Sequence, residues 1–162
     1  MVDDVVGGAG WIIRGKDLRP EITDVGAFRQ EVQDDPLGAV LELLWTGRPD
    51  AALQQLRRAP QSARVRALTA DCHRDLGDAA RAVRIYDDLV DECLGTALEA
   101  VMRQHRGKVL LAAGEPHRAI ADFAAAVRLR QQAAPELLAS AKQGHAYAQA
   151  LGHRPRQGPP TS

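Results

Sequence analysis

Apolar residues along this chain recur mainly at three- and four-residue spacings, the pattern of helices that bury one face. Val25, Phe28 and Val32 open the pattern. Asp35-Pro36 then supplies a capping side chain and a first-turn proline, which predicts a helix to about Trp45 that ends at Gly47. A short helix follows from Pro49, with Ala52, Leu53 and Leu56 on one face and Pro60 beyond it. Ser62 can cap a longer helix that runs to Leu76 and stops at Gly77. Its partner is predicted from Asp78 to about Leu94, with Ala82, Val83, Tyr86, Leu89, Val90 and Cys93 as its stripe. Thr96 with Glu99 matches a capping box and opens a helix bearing Leu98, Val101, Met102, Val109 and Leu110 before Gly114. Pro116 begins a helix with Ala119, Ile120, Phe123, Ala126 and Val127, and Pro135 begins the last, to Leu151.

This reading divides the chain into a flexible arm over residues 1–24, a helical domain over 25–151 and a disordered tail over 152–162. The arm holds Gly7, Gly8, Gly10 and Gly15, with one apolar patch at Trp11, Ile12 and Ile13.

Three of the turns agree in detail. Gly47, Gly77 and Gly114 each stand five residues before an alanine (Ala52, Ala82, Ala119) and nine before a large residue (Leu56, Tyr86, Phe123). Gly closes one helix in the left-handed conformation, the small Ala admits a close return helix, and the large side chain fills the gap between hairpins. The pattern resembles the tetratricopeptide repeat family over roughly residues 36–133, with spacings of 30 and 37 between turn glycines where the family has about 34. Gly107 matches the small residue of the family's first helix. The match departs from the family where Pro36, Arg66 and Arg103 replace a large aromatic, and where Arg106 replaces a Leu.

The resemblance implies an all-α fold of antiparallel helical hairpins stacked as a short superhelix, with a concave groove that binds a protein or peptide. Carried onto this chain, the groove positions are Arg64, Ala67, Asp71 and Arg74, then Val101, Gln104, Lys108 and Leu111, and also Leu37, Leu41 and Leu44. The partner-binding candidates are Arg64, Asp71, Arg74, Gln104, Lys108 and Leu111. The Lys and Asn set of the family's carboxylate clamp is absent. A second reading is self-association, since a short repeat array exposes its terminal hairpins and Trp11, Ile12 and Ile13 could cover such an end in the same or another chain.

Composition supports a helical core and narrows the chemistry. Hydrophobic residues make up 45% of the chain and aromatics only 4%, so the core must be built from Ala, Leu and Val, which favours packed helices. The net charge is zero, with an acidic first third and a mildly basic remainder. The arginines from Arg57 to Arg84 are interrupted by Asp71, Asp75 and Asp78, which argues against a nucleic-acid face. Asp87, Asp88, Asp91 and Glu92 read as a solvated face. Cys72 and Cys93 lie in apolar helical patterns and read as core residues. No segment approaches the roughly 20 apolar residues of a membrane span, and cytoplasmic residence is the expectation. Arg exceeds Lys 18 to 3, a composition associated with GC-rich bacterial genomes. No nucleotide loop, His-based metal motif or catalytic constellation is legible, so the reading is a non-enzymatic scaffold with no cofactor.

Overall fold

The turn glycines place the helices. In the computed structural model, which describes residues 1–153, Gly47, Gly77 and Gly114 take φ values of 82°, 91° and 77°. The next N–H in each turn, from Arg48, Asp78 or Glu115, reaches back to the carbonyl of Leu43, His73 or Leu110, all at 2.8 Å. The same six-residue closure therefore ends three helices, α2 (Gly38–Trp45), α4 (Ala63–Asp75) and α6 (Glu99–Ala112). Their return partners are α3 (Pro49–Leu56), α5 (Ala79–Cys93) and α7 (Pro116–Leu129), with α1 (Val25–Glu31) ahead of them and α8 (Pro135–Gly152) closing the series.

Consecutive helices pack on one another from α2 to α8, and the first helices also meet across the hairpins, α4 with α6 and α6 with α8. The packing follows the sequence logic. Ala52, Ala82 and Ala119 have no exposed surface, and neither do Tyr86 and Phe123; Leu56 is almost as enclosed. A small residue recurs every 37 positions at Ala70, Gly107 and Gly144. Phe123 fills the space this creates: a Cβ at Gly107 would stand 2.9 Å from its ring, and one at Gly144 only 2.3 Å. Cys72 and Cys93 are free and buried in the cores. Arg106, which replaces an expected Leu, reaches Asp122 at 2.7 and 2.8 Å and Asp87 at 3.1 Å, and so ties α6 to α7 and α5.

Some local expectations need correction. Ser62 caps α4 as predicted, its Oγ accepting from the Val65 N–H at 3.1 Å. The capping box does not form: Glu99 accepts from the Gly95 N–H rather than from that of Thr96, and Thr96 Oγ1 accepts from Leu98 rather than from Glu99. The helix expected from Pro36 starts at Gly38, because Asp35 instead caps a turn, accepting from the Leu37 N–H at 2.9 Å. The acidic face is partly paired, Asp87 with Arg106 and Arg118, and Glu92 with Arg66.

The largest correction concerns residues 1–24. They are not a free arm but a three-stranded antiparallel sheet, β1 (Val5–Gly8), β2 (Trp11–Ile13) and β3 (Pro20–Ile22), in the order β1-β2-β3. The glycines serve close approach rather than mobility, since a Cβ at Gly7 would lie 2.1 Å from the Trp11 ring and one at Gly15 1.8 Å from the Val2 carbonyl oxygen. β1 packs on α8 and β3 on α2, so the sheet spans the inner side of the stack. Gln143 of α8 fixes one side, its Nε2 donating to the Asp3 and Ile13 carbonyls at 2.8 Å each. On the other side the Trp11 ring lies 4.6 Å from that of Trp45, and its Nε1–H donates to Glu31 at 2.8 Å. Ile13 is buried, and Leu18 in the β2–β3 loop enters the α4–α8 core. Of the two placements open to the apolar patch, Trp11 and Ile13 thus take the one within their own chain. Of the expected tail, Gly152 belongs to α8, and residues 154–162 lie outside the described residues.

Candidate functional site

Roofing the inner side with a sheet converts a groove into a cavity. It has a volume of about 420 Å³ and lies between the sheet and the inner faces of α2, α4, α6 and α8, within the ~300–1,000 Å³ range typical of ligand sites. Trp11, Ile13 and Pro20 form the roof, and Leu41, Leu44 and Trp45 the α2 wall. Leu98, half exposed, and Leu137, likewise half exposed, stand at the opening.

The groove candidates mostly converge here. Arg64, Ala67, Asp71 and Arg74 line the cavity from α4, and Val101, Gln104 and Lys108 from α6. Leu41 and Leu44 also line it, whereas Leu37 is buried in the α2–α4 core. Leu111 does not reach it. The loop carrying Leu18 stands in front of Leu111 and separates a second cavity of about 190 Å³, shared by Asp17, Leu18, Arg19, Arg74, Lys108 and Leu111.

Each charged group has a distinct status. Arg64 is bidentate with Asp35 at 2.7 and 2.5 Å. Arg74 donates to Asp75 at 2.8 Å and stands 3.6 Å from Asp71. Asp71 is 5% exposed, accepts from the Tyr86 hydroxyl at 2.9 Å and lies 3.3 Å from His105 Nδ1. Burial alone would raise its pKa, but Arg74, His105 and the Tyr86 hydroxyl together hold the carboxyl below its usual value. Burial, together with the neighbouring Asp71 carboxylate, pushes the Tyr86 phenol well upward.

Of the four Lys and Arg side chains that line this cavity, Lys108 and Arg130 have no carboxylate within 4 Å among the described residues. Arg130 is 8% exposed and uses only Nη1 in bonding, to Gln104 Oε1 and to the Leu137 carbonyl at 3.2 Å. Gln104 is held in turn by donating to Ser140 Oγ at 2.6 Å. Burial lowers the Arg130 pKa, and Lys108 is brought down to about 8 by burial and by the charges of Arg74 and Arg130, with Asp71 opposing. The sequence reading missed Trp11, Trp45, His105, Arg130, Leu137 and Ser140. Arg130 carried a signal, because it stands 37 residues after Cys93, an arginine where the preceding unit has a core residue.

Among the described residues no group of three His, Cys, Asp or Glu side chains is placed to share a metal ion, and no helix is long and apolar enough to cross a membrane. Comparison with protein-family models, curated proteins and solved structures gives no match.

Proposed function

We propose that this chain is a tetratricopeptide-like binding module, a non-catalytic adaptor that takes a peptide segment of a partner protein at the roofed cavity. The observation that carries the reading is convergence: seven of the eight groove positions on α4 and α6 line one cavity. Because the sheet covers the inner side, a partner lays its chain across the opening beside Arg64, Leu98 and Leu137 and sends a side chain inward. A preformed cavity limits the ordering cost of binding. The engagement of Trp11 and Ile13 within the chain favours this reading over self-association through the same patch. Two buried free cysteines suit a reducing cytoplasm, where we place the protein.

Selection of a displayed random-peptide library on the full chain tests the proposal. Enriched peptides should bind the parent and lose binding to Ala67→Phe or Val101→Phe, which fill the cavity from α4 and α6, while circular dichroism confirms that the variants are folded. No enrichment, or equal binding to both filled variants, refutes it.

A further inference from the structure

Two of the cations that line the cavity have no carboxylate within 4 Å among the described residues. The lining includes Arg64, Arg74, Lys108 and Arg130 against the carboxylates of Asp71 and Glu136. Arg64 is satisfied by Asp35 and Arg74 by Asp71 and Asp75. Glu136 is exposed and makes no ion pair within 4 Å among the described residues. Lys108 and Arg130 remain, and Arg130 is more than nine-tenths buried, with no protein acceptor at Nε or Nη2 among the described residues. A buried cation without a counter-charge is costly, and the cost falls when an anion arrives with matching acceptors. The remaining walls are apolar, with Trp11, Ile13, Leu44, Trp45, Val101 and Met102 among them.

We propose that the cavity binds an amphipathic carboxylate, a small molecule whose apolar body lies against Trp11, Trp45 and Met102 and whose carboxylate pairs with Lys108 and Arg130. A roofed space of about 420 Å³ with apolar walls suits a short apolar chain carrying one charged head. A bare inorganic anion gains nothing from the aromatic and aliphatic walls. An apolar alcohol fills the space but leaves both cations unpaired. The inference shares only the cavity with the preceding reading.

The chain supplies its own reporter, because its two tryptophans both line the cavity. The full chain is titrated with octanoate, octanol, octylamine and inorganic phosphate at pH 7, following tryptophan fluorescence and, on the same samples, calorimetry. Octanoate is expected to bind at least about tenfold more tightly than octanol, as a charge-assisted bond in a desolvated site predicts. Octylamine binds more weakly than octanol, and phosphate does not displace octanoate. Lys108→Met lowers octanoate affinity by at least about tenfold while octanol changes by less than about twofold, and Lys108→Arg retains most of the octanoate affinity. Equal affinity for octanoate and octanol, no octanoate binding, or octanoate binding indifferent to Lys108→Met overturns the proposal. Selection of cavity-dependent neutral peptides by a chain that ignores octanoate refutes this inference alone. Octanoate binding beside an empty peptide selection refutes the adaptor reading alone.

Discussion

Lys108→Met exchanges an ammonium for a thioether while keeping a flexible side chain of similar length. In the folded chain the ammonium titrates at about 8 instead of 10.5, because burial strips its water and Arg74 and Arg130 repel it, with Asp71 offsetting part of the effect. At about 1.4 kcal/mol per pKa unit, that shift is worth about 3 kcal/mol. The side chain keeps some solvent contact, and screening leaves roughly 1–3 kcal/mol. At pH 7 the lysine is charged in both folded and unfolded chains, so the penalty falls wholly on the folded state. Between about 8 and 10.5 the unfolded chain binds the extra proton, and parent stability therefore rises with pH across that window. The Met variant lacks this effect. It should be more stable than the parent at pH 7 by roughly 1–3 kcal/mol, or about 2–10 °C in Tm, and the advantage should shrink as pH rises through the window. Asp71, Arg74, His105, Arg130 and Glu136 share the first cavity with Lys108, and Asp17 and Arg19 the second. These groups are common to both proteins, so the difference between paired urea denaturation curves at pH 7, 8, 9 and 10 isolates Lys108. A variant no more stable than the parent at pH 7, or a gap that stays constant with pH, would falsify the reasoning.

Gly144→Ala should lower stability by about 1–3 kcal/mol despite the better helix propensity of alanine, because its Cβ meets the enclosed Phe123 ring at 2.3 Å; Gly107→Ala, at 2.9 Å, should cost less. Thermal melts decide, and a Gly144→Ala variant as stable as the parent counts against the packing argument. Tyr86→Phe removes a hydroxyl donor from the buried Asp71 carboxylate and should cost about 1.5–3 kcal/mol at pH 7. The folded-state pKa of Asp71 is depressed, so its contribution is present above the unfolded value of 3.8 and is lost as pH falls through the folded value; the gap between Tyr86→Phe and parent should close in acid denaturation series. Gln143→Ala removes both bonds that tie the sheet to α8. Hydrogen exchange should then accelerate in β1 and β2 while α4 and α5 stay protected; unchanged protection in the strands means that other contacts hold the roof.

The hairpins were legible because their chemistry is local. A left-handed glycine, an alanine five residues later and a large side chain nine residues later each satisfy a steric demand within one turn or one helix crossing, and Gly47, Gly77 and Gly114 repeat it with the same 2.8 Å closure. The sheet was missed for the opposite reason. Gly7, Gly8 and Gly10 look like mobility in sequence, and only the approach of the Trp11 ring from across the hairpin gives Gly7 its purpose. The local signal was two short apolar runs, Val5-Val6 and Trp11-Ile12-Ile13, on either side of a glycine turn, which is a hairpin pattern. Nothing near Gln143 in sequence announces that its amide will hold strands some 130 residues away.

The candidate site divides along the same line. Lys108 stands 37 residues after Asp71, so repeat geometry alone carries both to one inner face. Repeat geometry also carries Leu111 to the position of Arg74, yet Leu111 faces a separate space because the Leu18 loop, which belongs to no repeat, has entered the groove. The enclosure of the cavity thus comes from the irregular N-terminal part, and the charge from departures within the repeats: Lys108 opposite Asp71, and Arg130 where the preceding unit has Cys93. A hairpin stack built for stability alone gains from apolar residues at both positions. Two cations placed instead against one roofed apolar space connect the Lys108→Met stability gain to the predicted loss of carboxylate affinity: the charge that destabilises the empty cavity is the charge that recognises its ligand.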